Sequence, residues 1–228
     1  GGAMGFVSDL SGIQFKILNK TKGRAVWANR AQLDKKTYPG YIGKILNKNK
    51  QISIKQGEVV DFKTKGGVVV GAVLSDGSTL LCRSLIITCG TFLNGKIHIG
   101  NTHYSAGRMG EKPAKGLTEA LQKKGFKIGR LKTGTPPRLL SKTINWDLAK
   151  ESPGDAKPEP FSLYTKRPFM VKQDPCFIIN TNEDVHEVIN KNIKKSAMFS
   201  GKIKGTGPRY CPSIEDKIFR FSHNPSHM

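Results

Sequence analysis

The 228-residue chain is poor in acid, with 17 Asp and Glu against 38 Lys and Arg, a formal charge of +21. Cysteine is scarce as well, at four residues (Cys82, Cys89, Cys176 and Cys211), and no two of them form a C-x-x-C pair or a zinc spacing. Scattered thiols in a chain this long need not be a disulfide framework; they fit a reducing compartment, and the expected location is cytoplasmic. No apolar run approaches the roughly 20 residues of a membrane span. Glycine (25) and proline (12) are scattered rather than periodic, which excludes collagen-like and low-complexity chains. The five histidines offer no metal site: His98 and His103 flank a Gly-containing turn, and His223 and His227 sit four apart without an acidic partner. A G-x-G-x-x-G strand-turn-helix is absent too.

What is present is a basic chain long enough to bury a core. A charge of this size, if clustered, attracts polyanions, with nucleic-acid phosphate the commonest. The competing reading is a lysine-rich surface spread evenly in solvent. The chain opens on Gly1-Gly2-Ala3-Met4-Gly5 and ends on Pro225-Ser226-His227-Met228 without a closing element. It is therefore expected to be a piece of a longer protein.

Residues 28–47 read as one helix kinked at Pro39, with Ile42, Ile45 and Leu46 as its apolar stripe. A period of two then sets in, with turns at Gly66-Gly67 and Ser75-Asp76-Gly77-Ser78, predicting an antiparallel meander over 51–82. Ser84–Gly90 reads as a buried parallel strand. A short helix over 115–124 should end at Gly125, with an extended segment resuming at Phe126-Lys127-Ile128. Prolines crowd the region from 139 to 205, which reads as an inserted, loop-rich subdomain. Within it a strand is expected at Cys176–Asn180, and a helix over 182–194 with Asn182 as its N-cap. The fold class is α/β, with domains at 1–138, 139–205 and 206–228.

Four stretches have the texture of chemistry rather than core: Gly23–Asp34, Thr88–Phe92, Gly129–Arg138 and Gly207–Lys217. A strand ending in small residues and glycine lets its backbone approach a ligand beyond the sheet. Arg130, Lys132 and Arg138 surround a Gly-Thr-Pro-Pro turn that suits phosphate or carboxylate. Cys211 follows Arg209 and precedes a helix expected to start near Pro212 or Ser213, a position that lowers a thiol's pKa, opposed in part by Glu215 and Asp216. Cys89 and Cys176 fit small buried hydrophobes better, and Cys82 has no chemical context.

Taken together, Gly12–Asn19, Arg30–Asp34, Gly90–Gly100, Gly129–Arg138 and Gly207–Lys217 resemble, in order along the chain, the GidA/MnmG family of tRNA uridine 5-carboxymethylaminomethyl modification enzymes. The resemblance implies an interior fragment. The nucleotide-binding glycine loop, a second cysteine, further FAD-binding residues and a tRNA- and GTPase-engaging helical part would then lie outside it. It implies a partial FAD-binding, Rossmann-like flavoprotein domain, FAD and NADH as cofactors, methylenetetrahydrofolate as one-carbon donor, tRNA as substrate, an MnmE-type GTPase as partner, and a homodimer. By the same resemblance Val59 and Ala114 contact FAD, the latter through backbone, since a family member carries serine there. Gly207-Pro208-Arg209-Tyr210-Cys211-Pro212-Ser213-Ile214-Glu215-Asp216-Lys217-Ile218-Phe219-Arg220-Phe221 matches the NAD-binding segment, and Cys211 a catalytic cysteine. A thiolate could add to the uracil ring beside C5, or shuttle the C5 proton; both roles stay open. Two rival readings remain. One is a folate- and flavin-dependent tRNA uracil methyltransferase, against which the Cys211 word speaks. The other is a basic RNA-binding module without redox chemistry.

Overall fold

The computed structural model describes residues 2–201, 203, 205 and 212–228. Its elements begin with α1 (Gly2–Ser11), β1 (Gly12–Leu18), β2 (Ala28–Leu33), α2 (Thr37–Lys48), β3 (Val59–Lys65), β4 (Val68–Leu74) and β5 (Thr79–Leu81). There follow β6 (Lys96–Ile99), β7 (Thr102–Ser105), α3 (Leu117–Lys123), β8 (Lys150–Ser152), β9 (Cys176–Ile178), α4 (Glu183–Asn192) and α5 (Ile214–Arg220). Among the described residues the helices are interspersed with four small antiparallel sheets, the mixed α/β class expected. The chain forms two compact units: residues 1–54 and 138–180 with Met228, and residues 55–137 with 181–227.

In the first unit β1 is the organising strand. One edge pairs with β2, Gln14 opposite Gln32. The other edge is satisfied by loop residues: Asp174 donates its N–H to the Ile13 carbonyl at 2.8 Å, Phe15 N–H to Gln173 Oε1 at 2.7 Å, and Ile17 N–H to Asp155 Oδ2 at 2.8 Å. Phe15 is buried and meets Phe169 edge-on at 5.1 Å. Gln14 is buried just as deeply, yet its amide is matched: Nε2 donates to the carbonyls of Ser152 and Asp174, both at 3.1 Å. A buried amide left without partners would destabilise the strand; matched, it ties β1 to the segment carrying β8. Asp9 does the same for α1, its carboxylate accepting from Phe161 N–H (2.8 Å), Ser162 N–H (2.9 Å) and Thr165 Oγ1 (2.6 Å).

The single helix expected over 28–47 is instead β2 followed by α2. The switch is made by Asp34, whose Oδ1 accepts the N–H groups of Lys36 (3.0 Å) and Thr37 (2.7 Å), turning the chain into the helix. Pro39 falls in the first turn of α2, where proline is tolerated, and the helix runs on from it to Lys48.

In the second unit the meander is present as β3-β4-β5, starting at Val59 rather than 51. Gly66 and Gly67 (φ +58° and +80°) make the two-residue turn between Lys65 and Val68, as a tight hairpin requires. Gly77 (φ +83°) closes the second turn. Helix α3 ends as its sequence predicts: Gly125 N–H bonds the Gln122 carbonyl and Phe126 N–H that of Leu121, the paired bonds of a glycine C-cap. Asn182 caps α4 by accepting Val185 N–H at 3.0 Å. The strand expected at Ser84–Gly90 is not formed, while Phe126-Lys127-Ile128 follows α3 outside any described strand. A strand exists through its neighbours, and no described strand pairs with Ser84–Cys89; Ile86 is 85% exposed in consequence.

Candidate functional site

In the second unit a polar arrangement surrounds the loop before β6. Residues 58–60 lie against 114–116: Lys115 N–H donates to Glu58 Oε1 at 3.2 Å, and a Cβ on Gly116 would stand 2.9 Å from the Val60 carbonyl oxygen. Val59 and Ala114, both half-buried, therefore occupy adjoining stretches of backbone. Ala114 also forms an isolated parallel bridge with Leu93, its carbonyl accepting Asn94 N–H at 2.9 Å. Neither residue has a polar side-chain atom, so a ligand here would meet apolar surface and peptide groups.

Asn94 takes a left-handed conformation (φ +49°) that an Asn before Gly accepts readily. Its Nδ2 donates to Glu119 Oε1 at 2.7 Å, and its carbonyl accepts from Arg130 Nη2 at 3.1 Å. The helix-start N–H of Glu119 and the Asn94 amide hold the Glu119 carboxyl below the usual glutamate range. Gly95 has no alternative, since a Cβ there would fall 2.3 Å from the Ala106 carbonyl oxygen.

The Gly129–Arg138 stretch continues from this network toward α5. A Cβ on Gly205 would lie 2.7 Å from the Arg130 carbonyl oxygen, Lys132 Nζ donates to the Met198 carbonyl at 3.3 Å, and the Cβ position of Gly134 is 3.2 Å from Ser213 Cβ. Ser213 caps α5, its Oγ accepting Asp216 N–H at 3.3 Å, so the helix start expected at 212–213 is present. Ile218, only 1% exposed, anchors that helix, and Phe219 packs on Phe199 at 5.4 Å. Of the fifteen residues matched to NAD binding, Pro212–Phe221 form this cap and helix. Gly207, Pro208, Arg209, Tyr210 and the catalytic candidate Cys211 lie outside the described residues.

Thr88–Phe92, residues 129–137 and the described residues 212–217 belong to one unit, while Arg138 falls in the other, as does Gly23–Asp34, which forms β2 and its approach. Cys176, read as a buried hydrophobe, is half-buried beside two amides, within 3.6 Å of Gln14 Oε1 and Gln32 Oε1. Cys82 is half-buried and Cys89 exposed. Among the described residues no group of three or more His, Cys, Asp and Glu could hold a metal ion, and no described helix is long and apolar enough to cross a membrane. Sequence reasoning missed Asn94, Glu119 and Gly116. The Asn94-Gly95 dipeptide was a legible turn signal, whereas nothing local announces that Gly116 meets Val60 or that Glu119 meets Asn94.

The family model described as glucose inhibited division protein A matches residues 1–228. The chain belongs to that family, GidA. Among curated GidA-type relatives, the tRNA uridine 5-carboxymethylaminomethyl modification enzyme MnmG of Thermodesulfovibrio yellowstonii is 49% identical over 228 residues, all of this chain and 36% of the relative. The MnmG of Chlorobium phaeobacteroides is 47% identical over all of this chain and 37% of its own length. The structure of Aquifex aeolicus GidA superposes with a TM-score of 0.88 at 43% identity, covering 100% of this chain and 39% of that one. The chain thus spans little more than a third of the length of these relatives, and its α/β elements follow the GidA arrangement across their whole extent.

Proposed function

We propose that the protein to which this chain belongs is a flavin-dependent enzyme that modifies the wobble uridine of tRNA at C5. The end-to-end match to relatives named for tRNA uridine modification carries the reading. The neighbouring of Val59 and Ala114 supports it independently, because two positions 55 residues apart, assigned to one cofactor, meet through Glu58–Lys115 and Gly116–Val60. These two residues would hold FAD by van der Waals contact and peptide groups. FAD, when bound, supplies the redox and one-carbon chemistry that side chains lack, with methylenetetrahydrofolate as donor.

The segment 207–221 would receive NADH, with α5 fixing its second half. Cys211 is proposed as the catalytic residue, adding as a thiolate beside C5 to make that carbon nucleophilic, or moving the C5 proton. The whole protein would act as a homodimer with an MnmE-type GTPase. Within it, residues 1–138 belong to the FAD-binding domain, 139–205 to an insertion and 206–228 to the segment returning from it.

The full-length protein should purify yellow with bound FAD, and Cys211→Ser should abolish tRNA modification without loss of flavin. A colourless protein that takes up no FAD would overturn the flavoenzyme reading, and full activity in Cys211→Ser would reduce the cysteine to a packing role.

A further inference from the structure

The β6–β7 ribbon is unaccounted for by the cofactor reading. Ile99 and Thr102 close it around the two-residue turn Gly100-Asn101, with Gly100 at φ +55°. The register pairs Lys96 with Ser105 and His98 with His103. Alternation therefore sets Lys96, His98, His103 and Ser105 on one face, and Ile97, Ile99, Thr102 and Tyr104 on the other. The two imidazoles stack across the strands at 5.7 Å and 26°.

The charges acting on His98 are all cationic: His103, Lys96 and Arg130. Burial first, and then these neighbours, hold it below the usual histidine value. Glu119, the carboxylate bonded to the same Asn94 that receives Arg130, is engaged by the Asn94 amide. Among the described residues no ion pair joins Lys96, His98, His103 or Arg130 to a carboxylate, so positive charge and N–H donors collect on this two-stranded ribbon. His103, Tyr104 and Ser105 are exposed, as are Lys96 and Arg130.

We propose that this ribbon face, with Arg130 beside it, is a contact surface for an RNA phosphate backbone. The proposal rests on the tRNA-modifying reading above and extends it to a surface. Lys96 and Arg130 supply permanent charge, while the stacked imidazoles offer N–H donors. An anion beside His98 offsets the cationic neighbours that help hold its pKa down, so binding should take up a proton there and affinity should grow as pH falls.

The test measures tRNA binding by the full-length protein against salt and pH, with flavin content followed in parallel. Lys96→Gln should weaken binding and reduce the slope of log K against log salt by about 0.7–0.9, the release expected for one phosphate contact. His98→Gln with His103→Gln should flatten the pH response while leaving flavin content at the parent level. If the parent binds tRNA but all variants keep its salt slope and pH response, the ribbon proposal fails and the enzymatic reading stands. If the parent, with FAD bound, has no affinity for tRNA, the enzymatic reading fails first. If Lys96→Gln changes the oligomeric state and not the tRNA affinity, the face is a protein contact and the proposal is overturned.

Discussion

Gly116→Ala is the substitution that most directly tests how the Val59 and Ala114 stretches are held together. Gly116 sits at φ +91°, ψ −47°, immediately before α3, a conformation that L side chains rarely adopt. Holding alanine there costs about 1–3 kcal/mol. Its Cβ would also stand 2.9 Å from both Cβ and the carbonyl oxygen of Val60, and backbone cannot yield as a flexible side-chain tip can. That overlap adds about 1–3 kcal/mol. Even the lower bound of the two together, about 2 kcal/mol, is more than a tenfold change in the equilibrium between the closed arrangement and one in which 58–60 and 114–116 part.

The consequence is read in two measurements on the full-length protein: the urea midpoint, and flavin absorbance per polypeptide after dialysis. Both should fall. Gly43→Ala is the control, since Gly43 lies inside α2 with nothing within 4 Å of its Cβ position, and alanine there should stabilise by about 0.5–1 kcal/mol. Gly116→Ala with parental midpoint and parental flavin content would refute the close-approach argument and the FAD assignment resting on it.

Asp9→Ala would leave the Phe161 and Ser162 N–H groups and the Thr165 hydroxyl without their acceptor, an expected loss of about 1–3 kcal/mol by chemical denaturation for the buried Ser162 bond alone. A parent-like midpoint would show that water replaces the carboxylate. For Asp155, burial opposes ionisation, but the Lys20 hydrogen bond, the Ile17 N–H and the charges of Lys20 and Lys16 together hold the carboxyl below the usual aspartate range. A depressed folded-state pKa contributes stability above the unfolded value and loses it as pH falls through the folded one. Asp155→Asn should therefore lower stability at neutral pH and flatten the acid limb; an unchanged limb in acid titration would contradict this.

Much of the local architecture was legible in the residues themselves. Gly66-Gly67, Asp76-Gly77, the Gly125 stop of α3, the Asn182 cap of α4 and the Ser213 start of α5 all need only a few neighbouring atoms, so short-range chemistry determines them. The GidA words were equally legible, because residue order along the chain is a one-dimensional property.

Tertiary structure decided the rest. The first part of the helix expected over 28–47 became a strand because β1 offered β2 a partner and Asp34 turned the chain before α2, which keeps the rest of it helical. Ser84–Cys89 has the composition of a strand but no described neighbour, and strand character is a relation between segments rather than a property of one. The burial of Gln14, the meeting of Glu119 with Asn94 and the contact of Gly116 with Val60 join residues far apart in sequence. The +21 charge is a sum that composition gives without a location, and the register of β6 with β7 puts one of its contributors, Lys96, on the same face as His98 and His103.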